Sequence, residues 1–161
     1  MNRQRQVQEL IYELLLTVED TEQRSYGYVH LFGVSALAAM LAMHRGLDVE
    51  LAGVAGLLHD IATYTSGSAH EHARRSAEQA SQILGTAGVF APGEVDAICT
   101  SIAHHSDKAN THDPFSELLK DADVLQHCLY SAVLIDAQVR LKRLEDVCRE
   151  LSLSWPGEPD Q

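Results

Sequence analysis

The chain has 161 residues, 45% of them hydrophobic, and this size and composition are enough for one domain with its own core. Its 23 acidic residues outnumber its 12 basic ones, which gives a formal net charge of −11. Such a charge argues against binding along a nucleic-acid polymer or an anionic membrane, because both require clustered basic side chains. A small phosphorylated molecule remains compatible with it, provided that a bound cation supplies positive charge locally.

Neither the N-terminus nor the cysteines indicate export. The first residues are polar before they become amphipathic, and no uninterrupted apolar stretch reaches the roughly 18 residues of a membrane span. Cys99, Cys128 and Cys148 are odd in number, widely spaced and set among apolar neighbours, which predicts reduced core residues. We therefore expect a cytoplasmic protein that has no membrane span.

Apolar residues recur at spacings of three and four, which predicts an all-α protein of about six to seven helices. The first helix is expected over residues 4–19, and the residues at 21–28 are expected to break it. A second is expected over 28–45, ended by Gly46, and Asp48 is a plausible N-cap for a third. The third helix contains the segment 51–62, which is apolar almost all round and is therefore expected to be central.

The second half of the chain continues the helical pattern after turn-rich residues at 63–68. Helices are predicted over about 70–84, from Pro92 to His104 and His105, from about Pro114, and over 131–153, with a loop at 106–114 and a frayed tail at 154–161. No repeat or low-complexity segment divides the chain. We therefore expect a single domain over 1–161, with a compact helical core at about 26–130.

A histidine and an aspartate, His59 and Asp60, end the most apolar helix, and both are costly to bury without a partner. His30 lies on the buried stripe of an earlier helix, and Asp123 lies on a later helix that could face the same centre. Two imidazoles and two carboxylates suit Mn²⁺, Fe²⁺, Co²⁺, Ni²⁺ or Zn²⁺, and leave positions for water and substrate. Mg²⁺ is also compatible with the carboxylates.

These four residues and their surroundings resemble the HD-domain superfamily of metal-dependent phosphohydrolases. The superfamily pattern is a His on an early helix, a His-Asp pair and a late Asp, which here are His30, His59-Asp60 and Asp123. The segments HLFGVSALAAMLA, AGLLHDIA and LLKDADVL resemble the three corresponding family segments. The resemblance covers about 26–130 and implies an HD-type helical fold with these four residues as metal ligands.

The closing segment contains two aspartates, Asp121 and Asp123, which are two residues apart and point roughly 200° away from each other on a helix. Only one of them can therefore reach the ion. Helical periodicity slightly favours Asp121, whereas the family's Ala-Asp-x-Leu pattern favours Asp123. We predict Asp123.

A further set of histidines lies between the His-Asp pair and Asp123. His72 resembles the position at which two-metal members of the superfamily place another ligand, and His104 and His105 resemble their His-His pair. If all three contribute, Asp60 would bridge two ions, an arrangement that can hold both the attacking and the leaving oxygen. Surface histidines at helix ends are the alternative, so the sequence leaves one ion or two.

Basic residues close to the motifs are candidates for binding substrate phosphate: Arg74, Arg75, Lys108 and Lys120, of which we favour Arg75 and Lys108. The chain also departs from its resemblance. Thr63 stands where many members have a Lys, Gly27 where they have an Arg, and no Gly-Tyr-Pro follows the His-His pair. These departures weaken analogies with triphosphatases, with hydrolases of hyperphosphorylated guanine nucleotides and with cyclic-dinucleotide phosphodiesterases.

The resemblance implies a hydrolase in which metal-activated water attacks a small phosphorylated substrate, a nucleotide being favoured, with Asp60 as a catalytic ligand. Two alternatives remain: a di-iron oxygenase of the same superfamily, and a metal-binding helical module without catalysis. A homo-oligomer is compatible with all of these functions.

Overall fold

The computed structural model describes residues 2–131 and 138–154, and these form helices without any strand. The eight helices are α1 (Arg3–Leu16), α2 (Thr21–Arg45), α3 (Val49–Leu58), α4 (Ile61–Ser66), α5 (His72–Ala87), α6 (Pro92–His104), α7 (Pro114–Ser131) and α8 (Gln138–Glu150). The predicted all-α class is thus confirmed.

Helix α3 is the centre of the packing. It contacts α1, α2, α5, α6 and α7, and every residue from Leu51 to Leu58 is buried. Its approach to α2 requires a glycine, because a Cβ atom at Gly56 would lie 2.6 Å from the Cα of Ser35. Because the central helix ends at Leu58 inside the molecule, the next two residues, His59 and Asp60, begin in the interior.

Two segments that were expected to be turns are helical. Helix α2 begins at Thr21 because the Asp20 carboxylate accepts hydrogen bonds from the backbone N–H groups of Glu22 and Gln23. Residues 61–66 form the short α4, whose Ala62 N–H donates to the buried Ser76 hydroxyl on α5. A tertiary contact therefore supplies the cap that the local sequence lacks.

Ion pairs attach the last described helix to the rest of the molecule. Arg143 of α8 donates to Glu117 and Asp121 of α7, while Arg45 of α2 donates to Asp121 and Glu150. Within the range 131–153 predicted for the last helix, the structure has α8 at Gln138–Glu150. Residues 132–137 of that range, and nearly all of the frayed tail predicted at 154–161, lie outside the described residues.

Helix α2 also bears on the predicted location. It is long and apolar enough to cross a membrane by length and composition, although a core helix passes the same test. Here α2 packs against α3 and α7 and contributes buried His30. The absence of a membrane span stays a prediction. Two of the three cysteines, Cys128 and Cys148, are buried, as expected of core residues.

We expect Glu117 to make the α7–α8 contact acid-sensitive. Burial alone would raise its pKa, but hydrogen bonds from Lys120, His112 N–H and Arg143 lower the pKa from 4.5 to about 2. Because the folded-state pKa is depressed, the stabilisation is present above about pH 4.5 and is lost as the pH falls toward 2.

Glu117→Gln should therefore lower the free energy of unfolding at pH 7 by about 1–2 kcal/mol, allowing for partial solvent screening. The difference from wild type should disappear near pH 2. Urea unfolding across this pH range measures it, with the exposed Glu19→Gln as the control. A Glu117→Gln deficit that is independent of pH would contradict the ion-pair explanation.

Candidate metal centre

The His-Asp pair lies at the break between α3 and α4. His59 is the C-cap of α3 and is fully buried, and Asp60 follows with φ −119° and ψ 15°. This conformation is close to the sparsely allowed bridge region, in which active-site residues are often found. The Asp60 carboxylate faces His30 of α2, His72 of α5 and His105, the C-cap of α6.

Four side chains converge on one point. The Nε2 atoms of His30 and His59 are 3.1 Å apart. Asp60 Oδ2 lies 3.5 Å from Nε2 of His30 and 3.6 Å from Nε2 of His59. Asp123 Oδ1 lies at the same two distances, 3.5 and 3.6 Å. The structure thus brings together all four residues that the sequence predicted as ligands.

The other ring nitrogens decide which tautomer these histidines adopt. His30 Nδ1 lies 2.6 Å from Gln126 Oε1, and His59 Nδ1 lies 2.9 Å from the Gly56 carbonyl oxygen. Since both partners are acceptors, each Nδ1 donates a proton, and each Nε2 faces the carboxylates of Asp60 and Asp123. Burial alone would lower the pKa of His59, but these two carboxylates raise it. Two Nε2 atoms 3.1 Å apart, on rings whose Nδ1 atoms already donate, need a proton or a metal ion between them.

A second cluster lies on the other side of Asp60. Its Oδ1 atom is 3.2 Å from Nε2 of His105 and 3.6 Å from Nε2 of His72. Again Nδ1 donates to a carbonyl oxygen, that of Ile102 for His105 and of Ala69 for His72. Asp60 Oδ1 is buried without a hydrogen-bond donor, which is costly unless a cation satisfies it. Asp60 therefore offers one oxygen to each cluster.

The structure does not place His104, which was predicted as a possible ligand of a second ion, in the second cluster. Its Nδ1 lies 3.2 Å from Ser116 Oγ, and its ring stacks on His112 with centroids 3.9 Å apart. Consecutive residues on a helix point about 100° apart, so only one of the two adjacent histidines can face Asp60. The structure brings His72 and His105 to the second cluster and leaves His104 outside.

The two aspartates of α7 have different environments. Asp121 accepts hydrogen bonds from Arg45 and Arg143, so its carboxylate holds helices together. Asp123, on the opposite side of α7, faces His30 and His59. The structure therefore favours the aspartate that the family pattern selected over the one that the hydrophobic stripe selected.

The predicted phosphate-binding cations are placed unequally. Lys108 Nζ lies 2.6 Å from Asp123 Oδ2, beside the first cluster. Arg75 is not brought to the centre, because its guanidinium donates to the carbonyl oxygens of Ser68 and His70. The remaining candidates, Arg74 and Lys120, pair with nearby glutamates. Of the four, only Lys108 lines the cleft that contains the clusters.

This cleft has a volume of about 280 Å³ and is open to solvent. Besides predicted residues, its lining includes Tyr26, Tyr64, His127 and Arg140, which the sequence analysis did not select. His127 was detectable, because it lies four residues after Asp123 and so on the same face of α7. Gln126, the partner of His30, and Arg140 carried no comparable sequence signal.

The electrostatics of the cleft favour a cation. Burial would raise the pKa of Asp60 and of Asp123, but His59 and His105 beside Asp60, and Lys108 and His59 beside Asp123, hold both well below the usual value. Burial lowers the pKa of His105, which keeps its imidazole neutral. Two carboxylates that stay ionised and a neutral imidazole are ready acceptors for a metal ion.

The HD domain model matches residues 27–128, nearly the whole of the predicted core. The chain belongs to the HD domain family. It is also similar to a Ribonuclease Y of Thermus thermophilus, with 34% identity over 128 residues, and to a Ribonuclease Y of Desulfotalea psychrophila, with 33% identity over 129 residues. Each match covers 80% of this chain but only 21% and 23% of the two ribonucleases, about a fifth of their length.

A solved structure has the same HD fold. It is a predicted HD superfamily hydrolase from an uncultured Thermotogales bacterium, with a TM-score of 0.62 and 23% identity. The match covers 92% of this chain and 88% of that one. The HD-type fold expected from the sequence is confirmed. The exclusion of nucleic-acid polymers receives no support from relatives that are named as ribonucleases.

Asp123→Asn and Asp121→Asn form a matched pair that tests the first cluster. Asp123→Asn should weaken binding of a divalent transition metal by more than the roughly 10–100-fold typical of outer partners, because it removes an anionic ligand. Asp121→Asn should lower thermal stability but leave the metal affinity unchanged. Metal titration and thermal unfolding of both variants measure this. Equal metal affinity in the two variants would contradict the assignment.

The adjacent histidines test the second cluster in the same way. His105→Ala should reduce the number of ions bound at saturation, because it removes a group 3.2 Å from Asp60 Oδ1. His104→Ala should leave that number unchanged. Elemental analysis of metal-saturated, gel-filtered protein measures the stoichiometry. A loss of metal in His104→Ala, or no loss in His105→Ala, would contradict the assignment of His105 to the second cluster.

Proposed function

We propose that this HD domain is a metal-dependent phosphohydrolase that acts on a small phosphorylated substrate, with a nucleotide as the first candidate. His30, His59, Asp60 and Asp123 would hold one ion, and Asp60, His72 and His105 a second. The observation that carries the proposal is the Asp60 carboxylate, which faces two histidine clusters, one with each oxygen, and has no hydrogen donor at Oδ1. A ligand set of imidazole nitrogens and carboxylate oxygens fits Mn²⁺, Fe²⁺, Co²⁺, Ni²⁺ or Zn²⁺, and Mg²⁺ is compatible with it.

A divalent ion bound at such a site lowers the pKa of water and polarises a phosphoryl oxygen. The chain's own residues supply the rest. Asp60 would be the catalytic carboxylate, because it alone belongs to both clusters. The buried carbonyl and amide partners hold the imidazoles in one orientation, so that little reorganisation is needed during the reaction.

Phosphate oxygens require positive charge beyond the ions, and two cationic side chains line the cleft. Lys108 lies beside Asp123, and Arg140 lines the same cavity. Arg140 takes the place of the predicted Arg75, which is engaged elsewhere. Both side chains could contact the negative charge that develops on a phosphoryl group.

The size of the cleft and the charge of the chain favour a small substrate. About 280 Å³ is at the lower end of ligand pockets, which run from roughly 300 to 1,000 Å³. A net charge of −11 opposes contact with a long polyanion. The similarity to ribonucleases supports a second candidate, hydrolysis of an RNA phosphodiester, for which the end of a single strand would have to enter this cleft.

Two other functions use the same ligands. A di-iron oxygenase would consume oxygen, and a silent metal-binding module would turn over nothing. Lys108 and Arg140 both line the cleft, and two positive side chains favour phosphate chemistry over the oxygenase and the silent module, because molecular oxygen is uncharged. A cytoplasmic location remains part of the proposal.

Hydrolysis is tested by incubating the metal-loaded protein with nucleotides, sugar phosphates and short single-stranded RNA, under air and without oxygen. Wild type should release product equally under both conditions. Asp60→Asn should lower the rate at least about a hundredfold, while the exposed Asp96→Asn should leave it unchanged.

Equal rates in wild type and Asp60→Asn at matched purity would remove the support for hydrolysis at this site. Turnover that requires oxygen would favour the oxygenase. If no substrate reacts while the metal is bound at full stoichiometry, the binding module becomes the better interpretation.

A further inference from the structure

Three tyrosines meet at the edge of the metal cleft. Tyr26 forms part of the cleft wall, and its ring centroid lies 5.8 Å from that of Tyr130 and 6.4 Å from that of Tyr64. The Tyr26 ring is nearly parallel to the His30 imidazole, at 12° and 6.1 Å between centroids. The aromatic group therefore begins directly beside the first metal-binding cluster.

The outer two rings are accessible to solvent. The exposed fractions of Tyr26 and Tyr130 are 36% and 54%, whereas Tyr64 is buried at 6%. The planes of Tyr26 and Tyr130 meet at 72° in a T-shaped contact, and these two partly exposed rings form what we call the Tyr26–Tyr130 corner. Neither ring is needed to close the hydrophobic core, to which Tyr64 contributes.

One ring of the corner lines the same cleft as the cations. Tyr26 lines it together with Lys108, Arg140, Asp60 and Asp123, and Tyr130 adjoins it through its contact with Tyr26. A ligand that spans this cleft would meet an aromatic surface, a metal-binding cluster and positive side chains. A planar aromatic group joined to a phosphate is the class of molecule that satisfies all three.

We propose that the Tyr26–Tyr130 corner binds the nucleobase of the substrate and so places the adjacent phosphate at Asp60. This inference rests on the proposed phosphohydrolase function and adds the recognition element. Every nucleobase has a face that stacks on an aromatic ring, so recognition here selects nucleotides over sugar phosphates but discriminates weakly among bases. The base can come from a free mononucleotide or from the end of a single-stranded RNA.

Tyr130 is the residue to change, because it is the more exposed of the pair and lies farther from the metal ligands. Tyr130→Leu should raise the KM for a nucleoside 5′-monophosphate about tenfold, the loss expected from one base–aromatic contact, with little change in kcat. Tyr130→Phe should behave as wild type, because it keeps the ring. The KM for ribose 5-phosphate, which has no base, should be the same in all three proteins.

Tyr12→Leu is the matched control. Tyr12 is 50% exposed and packs on Tyr28, away from the cleft, so its loss should leave every kinetic constant unchanged. Running the series with a nucleoside 5′-monophosphate and with a five-nucleotide single-stranded RNA separates the two sources of the base. The substrate whose KM rises in Tyr130→Leu, the nucleotide or the RNA, is the one whose base occupies the corner.

A KM that is unchanged in Tyr130→Leu for both the nucleotide and the RNA, or an equal rise for ribose 5-phosphate, would overturn the proposal. If wild type hydrolyses nothing, the phosphohydrolase function fails first, and equilibrium binding still tests the corner. The metal-loaded protein should then bind a nucleoside 5′-monophosphate about tenfold more tightly than Tyr130→Leu does. Equal dissociation constants would overturn the corner independently of catalysis.

Discussion

The candidate metal centre depends on four imidazoles that all direct Nε2 toward one carboxylate, that of Asp60. Each Nδ1 faces a carbonyl oxygen, so Nε2 is the ring nitrogen left for Asp60 and its neighbours. Two buried carboxylates that stay ionised, Asp60 and Asp123, require positive charge beside them, which a proton on His59 or a metal ion supplies. Burial sharpens the problem, because it removes the water that would otherwise separate these groups. The interior of the protein is thus arranged for a cation.

Contacts with the neighbouring backbone explain the orientation of three of the four imidazoles. His59, His72 and His105 each direct Nδ1 to the carbonyl oxygen three residues earlier, that of Gly56, Ala69 and Ile102. For His59 and His105, which cap helices, these are carbonyls of the last turn, where i+4 partners are missing. Helix termini therefore orient imidazoles without help from other parts of the fold.

His30 differs because it lies in the interior of α2, where the helix itself uses the backbone carbonyls. Its Nδ1 needs an acceptor from elsewhere, and Gln126 of α7 provides one. Gly33 makes room for that side chain, since a Cβ atom there would lie 2.9 Å from Gln126 Cγ. The packing of α7 on α2 thus brings Gln126 and Asp123 to His30 together. The same contact therefore brings the candidate metal ligands together and holds these two helices against each other.

Several features follow from the sequence alone. The helical period established the all-α class, Asp48 and Gly46 marked helix ends correctly, and the cost of burying His59 and Asp60 indicated a shared partner. Resemblance then selected Asp123, although helical periodicity leaned toward Asp121. These inferences work because caps, periodicity and burial cost are local properties of a chain.

Only the tertiary structure decided between neighbouring candidates. Asp121 belongs to an ion-pair network with α2 and α8, and His104 to a stack with His112, whereas Asp123 and His105 face the metal-binding clusters. Arg140 lines the cleft and the predicted Arg75 does not, because the Arg75 guanidinium donates to a backbone carbonyl oxygen elsewhere. A helical pattern tells which residues share a face, but the packing of distant segments determines what each face meets.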